Sequence, residues 1–422
     1  MAVTRRDFLS QGIKLAALGV VAPSFLVKAA YSAAAAPLRS GGIACGNRNV
    51  LLVIQLSGGN DGLNTVVPYR DPNYYRLRPN LAIPSAQVLP LTNQMGLHPA
   101  LRTMSGLYNA GHVAVLESVG YPNPNRSHFR ALDIWQSARP DVNEPTGWLG
   151  RFLAGDDCED DVAMRAVNIG PRLPRSLWTE STVVPSVINS ENYQFRTDGR
   201  FSRDRSAQID AIHHICAGPH TGEMAEYVRL AALEALDSSD TLQQIVGRYE
   251  EKISYPANAF AEGLKLIAKV ISADVGTRVF YISLGGFDTH AAQPRSHTQL
   301  LQMLDEGLGA FFADMDRLGR MDDVLAMTFS EFGRRVGENA SQGTDHGTAL
   351  PMFLLGGRVR GGFYGTPPDL TRLTDGDLPY QTDFRTVYAS LLRTWLGVDP
   401  TGIIDGTWPT LDLIGAPPGG AL

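Results

Sequence analysis

Cysteine is scarce in this chain: three residues, Cys45, Cys158 and Cys216, in 422. No two of them stand at the short spacing of a zinc-binding pair, which excludes a thiolate zinc site. Basic residues form no extended patch. The net charge is −6, and clusters as short as Arg334-Arg335 do not make a nucleic-acid surface, so no nucleic-acid partner is expected. Long apolar runs are also missing. The longest near the N-terminus, Leu15–Val27, is too short and is broken by Pro23, which excludes a stable membrane span there. No internal repeat stands out. Histidine is scarce as well, with nine residues, and it is not a preferred turn former, so its placement is informative.

What is present begins with an address. Thr4-Arg5-Arg6-Asp7-Phe8-Leu9-Ser10, the apolar run and an alanine-rich stretch to Ala36 read as a twin-arginine signal peptide over residues 1–36. The expected partner during export is the twin-arginine translocase, and the expected location is periplasmic or otherwise extracytoplasmic. Ala-x-Ala sites near Ala33–Ala36 permit cleavage. In an oxidising compartment Cys158 and Cys216 are candidates to pair, while Cys45 sits in a poor lipobox.

Residues 37–422 read as one α/β domain. Apolar runs at Asn49–Leu56, His112–Ser118, Val162–Ile169, Arg278–Leu284, Val324–Phe329 and Pro351–Leu355 predict strands. Helical patterns separate them. Ser127–Ser137 opens on a good N-cap, Ser296–Leu318 carries Leu300, Leu304, Leu308, Phe311 and Met315 at helical spacing, and Asp383 opens Phe384–Leu396. The alternation predicts a mainly parallel sheet with helices on both faces. The helical stretch at about 206–273 is the best candidate for an insertion.

Four of the apolar runs adjoin glycine-containing turns that hold metal-ligand residue types. Ser57-Gly58-Gly59-Asn60-Asp61-Gly62 follows the first. Gly285-Gly286-Phe287-Asp288-Thr289-His290 and Ser330-Glu331-Phe332-Gly333-Arg334 follow two others, and Thr344-Asp345-His346-Gly347 precedes Pro351–Leu355. Asp and Gly are ordinary turn residues. The Asp-x-His and Asp-His pairs are not, and ligands bind at strand carboxyl ends in open α/β sheets. Asp61, Asp288, Glu331, His290 and His346 therefore form a candidate metal set, with Asp345 either a ligand or an orienting partner of His346. A mixed carboxylate–imidazole set suits one or two zinc, manganese or iron ions better than calcium. Ser127, at a predicted helix N-terminus, is a candidate nucleophile as well as a plain cap, with Arg126 and His128 as charge or proton-transfer neighbours. His98 and His297 are second-rank candidates; His213, His214 and His220 fall in the helical stretch.

These motifs carry a resemblance. Leu56–Asn64, Asn125–Phe129, Gly285–His290, Phe329–Arg335 and Thr344–Thr348 resemble the bacterial family of unknown function numbered 1501, whose members often carry twin-arginine signals. That family is in turn similar to the alkaline phosphatase and sulfatase superfamily. The resemblance implies an alkaline-phosphatase-like fold, Ser127 as nucleophile, and Asp61, Asp288, His290 and His346 as ligands. Glu331 takes the place of an aspartate in an Asp-His pair, but Phe332 replaces the histidine. The implied function is an exported metal-dependent hydrolase of phosphate or related esters, acting on a small-molecule or polymer substrate. Two alternatives stay open: an inactive metal-stabilised binding protein, and a sulfatase-like hydrolase without formylglycine, since no Cys or Ser here has the Cys/Ser-x-Pro-x-Arg pattern.

Overall fold

The computed structural model describes residues 48–155, 164–179, 183–191, 193, 202–217 and 223–416. The expected signal segment, Cys45 and Cys158, and with Cys158 the candidate Cys158–Cys216 pair, lie outside the described residues; Cys216 is buried.

Among the described residues nine strands form the main sheet. In chain order they are β1 Val50–Ser57, β2 Val113–Gly120, β3 Ala166–Ile169, β4 Ser186–Val187, β5 Val279–Gly285, β6 Val324–Phe329, β7 Leu350–Gly356, β8 Gly362–Tyr364 and β9 Thr382–Asp383. Their spatial order is β8-β2-β7-β6-β1-β5-β3-β4, with β9 also paired to β2. β1 lies parallel between β5 and β6. Among these strands only β7 runs against its neighbours, β6 and β2. The fold is the mainly parallel α/β arrangement that the alternation predicts.

The period-two geometry of β1 divides its side chains between two cores. Leu52 and Ile54 face one, shared with Leu264 and Ile267 of the Ala259–Ala273 helix and Leu304, Leu308 and Phe311 of the Gln293–Arg317 helix. Leu51 and Val53 face the other, with Trp135 of the His128–Ser137 helix, Phe152 of the Trp148–Ala154 helix and Tyr388 of the Phe384–Ser390 helix. Fully burying each such side chain stabilises by about 1.5–3 kcal/mol, so the sheet centre is held rigidly from both sides.

The expected elements are present with shifted ends. The Ser296–Leu318 pattern starts at Gln293, with a proline in its first turn. The last helix is α-helical to Ser390 and then widens into a π-turn over Leu391–Leu396. The 206–273 stretch comprises the helices Ser202–Ala217, Glu223–Arg248 and Ala259–Ala273, and the third packs on the sheet. Among the described residues no helix is long and apolar enough to cross a membrane.

Candidate metal centre

Strand direction assembles the site. β1, β5 and β6 are parallel, so the turns after Ser57, Gly285 and Phe329 emerge on one edge of the sheet. β7 is antiparallel to β6, so the residues that precede it, Asp345-His346, reach the same edge. β2 ends there too, and a short loop leads from Gly120 to the His128–Ser137 helix.

Three histidines meet around one carboxylate. Each ring has its Nδ1 engaged by an oxygen. His128 Nδ1 is 2.9 Å from Glu331 Oε1, His290 Nδ1 is 3.2 Å from Asp345 Oδ1, and His346 Nδ1 is 2.8 Å from the Arg126 carbonyl. A carbonyl or carboxylate oxygen accepts, so each Nδ1 has a partner for the ring proton, the tautomer that leaves the Nε2 lone pair free for a ligand. All three Nε2 atoms turn towards Asp288: His290 at 3.1 Å and His346 at 3.2 Å from Oδ1, and His128 at 3.6 Å from Oδ2. His290 Nε2 and His346 Nε2 stand 2.9 Å apart. With the ring proton of each on Nδ1, the two would face each other with lone pairs, which repel unless a proton or a cation lies between them.

The donor set fits a transition metal on this ground and on composition. His128, Asp288 and His346 each offer a ligand atom, all within 4.8 Å of one another. Nitrogen with carboxylate oxygen suits zinc, manganese or iron. Burial pushes the Asp288 carboxyl up, but the hydrogen bond and charge of Arg334, with His346 and His290, bring it below its ordinary range. Burial lowers the proton affinity of His346, which favours the neutral, ligating ring.

Several expected roles change. Glu331 lies beside the ligand set rather than within it. It is 1 % exposed, accepts the Gly58 amide at 2.8 Å and the Ser330 hydroxyl at 3.2 Å, and orients His128. Gly58 makes this close approach feasible: at φ 120° a Cβ there would lie 2.4 Å from the Asp288 nitrogen. His128, expected to transfer protons, lies in the candidate ligand group with Asp288 and His346. Asp345 orients His290, not His346; Asn339, His290 and nearby charge hold its carboxyl below the usual range.

Asp61, expected as a ligand, is not brought to the three histidines. It is buried in an ion pair with Arg78 at 2.6 Å and also accepts from Gln293. Burial opposes its ionisation, but Arg78 outweighs this and its pKa is lowered. Nearby, His297 Nε2 lies 3.0 Å from Asn60 Oδ1, and its ring packs edge-on against His98. Burial pushes both histidines down to about 4, so both rings are neutral.

Ser127 occupies the N-cap position of the His128–Ser137 helix, with extended backbone (φ −84°, ψ 125°), but its hydroxyl makes no cap bond within the described residues. Its amide donates to Asn125 Oδ1 at 2.8 Å, and the residue is exposed. Arg126 pairs with the buried Asp377 through its side chain while its carbonyl holds His346. Phe332 packs against both His128 and His346, 4.9 Å and 4.5 Å away between ring centroids. Sequence reasoning missed Arg78 and Arg334, both with fully buried guanidinium groups. The Phe-Gly-Arg-Arg motif contained the signal for Arg334, but a pair of arginines reads as surface charge.

The family described as "Protein of unknown function (DUF1501)" matches residues 108–400, a span that contains every residue of the histidine cluster but not Asp61. No curated protein matches the sequence. Similar solved structures include the C-terminal periplasmic domain of EcEptC from Escherichia coli in complex with Zn, at 10 % identity, TM-score 0.39, covering 76 % of this chain and 77 % of that one. The PsFucS1 sulfatase from Pseudoalteromonas sp. is similar at 13 % identity, TM-score 0.38, covering 83 % and 68 %. A protein in the alkaline phosphatase superfamily from Vibrio parahaemolyticus is similar at 9 % identity, TM-score 0.36, covering 82 % and 71 %. At such scores these likenesses carry no functional weight, which falls on the site itself.

Proposed function

Since the chain belongs to the DUF1501 family of proteins of unknown function, we propose its activity from the site: an exported, metal-dependent hydrolase of phosphate or related esters. One observation carries the reading. Three histidines, each oriented through Nδ1, direct Nε2 at the single carboxylate of Asp288.

His128, His346 and Asp288 would hold the ion, with His290 beside them. A bound divalent metal lowers the pKa of a nearby hydroxyl or water and offsets negative charge. Glu331, Asp345 and the Arg126 carbonyl keep the rings in ligating tautomers. Ser127 precedes His128 directly, is exposed, and has a hydroxyl uncommitted to capping. Its Oγ is the proposed nucleophile: the Oγ–P bond forms as the bond to the leaving oxygen breaks, the hydroxyl proton ends on the released alcohol, and water later cleaves the phosphoserine to free phosphate and restore the hydroxyl. The amides of the helix start favour the anionic ester. Arg126, held by Asp377 yet 41 % exposed, can meet a substrate oxygen in a set orientation.

Phe332 favours a second reading, an exported binding protein that keeps the metal and lacks turnover. Its ring closes over His128 and His346 where the superfamily resemblance implies a further histidine. The two readings separate in one screen. Metal-loaded protein is assayed on phosphomonoesters, phosphodiesters and sulfate esters. Turnover that disappears with chelation supports the hydrolase; bound metal without turnover on any class overturns it in favour of the binding protein.

A further inference from the structure

We infer that Arg334 is the positioning residue of the centre: it fixes Asp288 and His346 against each other, so that the ligand set forms only with its guanidinium in place. The inference rests on the metal reading above and assigns a task to a residue outside the donor set.

The guanidinium is 0 % exposed and gathers three separate turns. Nε donates to the Gly59 carbonyl at 2.7 Å, and Nη2 donates to that of Gly58, both in the turn after β1. Nη2 also reaches the Phe287 carbonyl at 3.0 Å, in the turn after β5, and Nη1 donates to the Thr344 carbonyl at 2.9 Å, ahead of β7. The carboxylate it contacts is Asp288 Oδ1, at 2.7 Å from Nη2. The Arg334 backbone forms an isolated antiparallel bridge with His346, flanked by Arg335 N to Asp345 O and Gly347 N to Gly333 O, each 2.9 Å. Gly347 permits the contact, since a Cβ there would lie 2.4 Å from the Arg334 carbonyl carbon. One residue thus holds one ligand by its side chain and another by its main chain.

A purely structural arginine would account for the carbonyl contacts but not for the bond to Asp288. Arg78 supplies the comparison. It is equally buried and also binds main-chain carbonyls, those of Val336 and Arg335, but its carboxylate partner is Asp61, away from the histidines. Lysine keeps the charge at either position and loses the planar fork.

The test uses the full chain freed of metal and titrated with Co²⁺, following its visible absorption, with thermal melting in parallel. Arg334→Lys is expected to weaken Co²⁺ binding by about 10- to 100-fold and to change the shape of the visible band. Arg78→Lys is expected to lower the melting temperature while leaving the band unchanged. A folded Arg334→Lys protein with wild-type affinity and band overturns the inference. If that variant does not fold, wild-type protein with ¹⁵N-labelled arginine decides: the buried Nη signals of Arg334 shift on adding Zn²⁺, and unmoved signals overturn the positioning role. A wild-type chain that takes up no Co²⁺ overturns the metal reading itself, a result distinct from either of these.

Discussion

At the residue scale, chemically similar acids in similar turns have different work, and substitution separates them. Asp61 and Asp288 both follow a strand and a glycine pair, yet Asp61 neutralises Arg78 and Asp288 faces three imidazoles. Removing one partner of a buried pair leaves the other charge uncompensated, at a cost of about 3–5 kcal/mol. Asp61→Ala is therefore expected to lose stability in denaturant titration while the folded fraction keeps most of its metal. His346→Ala is expected to lose metal by elemental analysis with a smaller loss of stability, and His213→Ala to change neither. Equal metal loading in the His346 and His213 variants would count against the centre. Ser127→Ala gives a third contrast. Because its hydroxyl caps nothing, the alanine variant is expected to lose less than the usual 0.5–2 kcal/mol for a cap, while ester turnover falls to background. Full turnover in the folded variant would remove Ser127 from the mechanism and leave water as the attacking group. The donor types were legible in the sequence, but their division into ligands and orienting partners was not. That division depends on which way each ring and carboxylate points, and Arg78 enters from a loop with no pattern linking it to Asp61.

At the element scale, the strands were readable because their cores are continuous apolar runs: Val324–Phe329 has the expected bounds and β1 is displaced by one residue. The polar interruption at the end of β2 was not interpretable. Glu117 is almost fully buried, its Oε1 has no hydrogen-bond partner among the described residues, and Ser118 adopts φ 50° opposite a register shift between Leu350 and Met352. Burial raises the Glu117 pKa to about 8. An unfolded glutamate titrates near 4.3, so the folded state binds this proton more tightly. Stability from this group is fully present below pH ~4.3 and falls as pH rises towards about 8, levelling off beyond. Denaturation midpoints measured from pH 5 to 9 are expected to fall across that window, and Glu117→Gln to flatten the fall. An unchanged slope in the glutamine variant would assign the pH dependence elsewhere.

At the scale of the whole molecule, the centre is a cross-link between distant parts of one sheet. His128 enters from the helix after β2, Asp288 and His290 from the turn after β5, Glu331 from the turn after β6, and His346 from the loop before β7. That these turns meet was legible from apolar runs ending in glycine-containing polar turns. That His346 reaches the edge from the start of a strand was not, because direction within a sheet is set by pairing partners far away in sequence. The cross-link has a thermodynamic consequence. A metal that binds the folded arrangement and not the separated segments stabilises by RT ln(1 + [L]/Kd), about 4.1 kcal/mol at a thousandfold excess over Kd. For a chain of this size each kcal/mol moves the melting temperature by roughly 1 °C, so saturating Zn²⁺ or Mn²⁺ is expected to raise the melting temperature of chelator-treated protein by about 5 °C. His346→Ala, with one segment released from the centre, should respond far less, while His213→Ala should respond as the wild type does. Identical melting curves for chelated and metal-loaded wild-type protein would mean that the three histidines converge without a metal to hold, and the proposed hydrolase would lose its central observation.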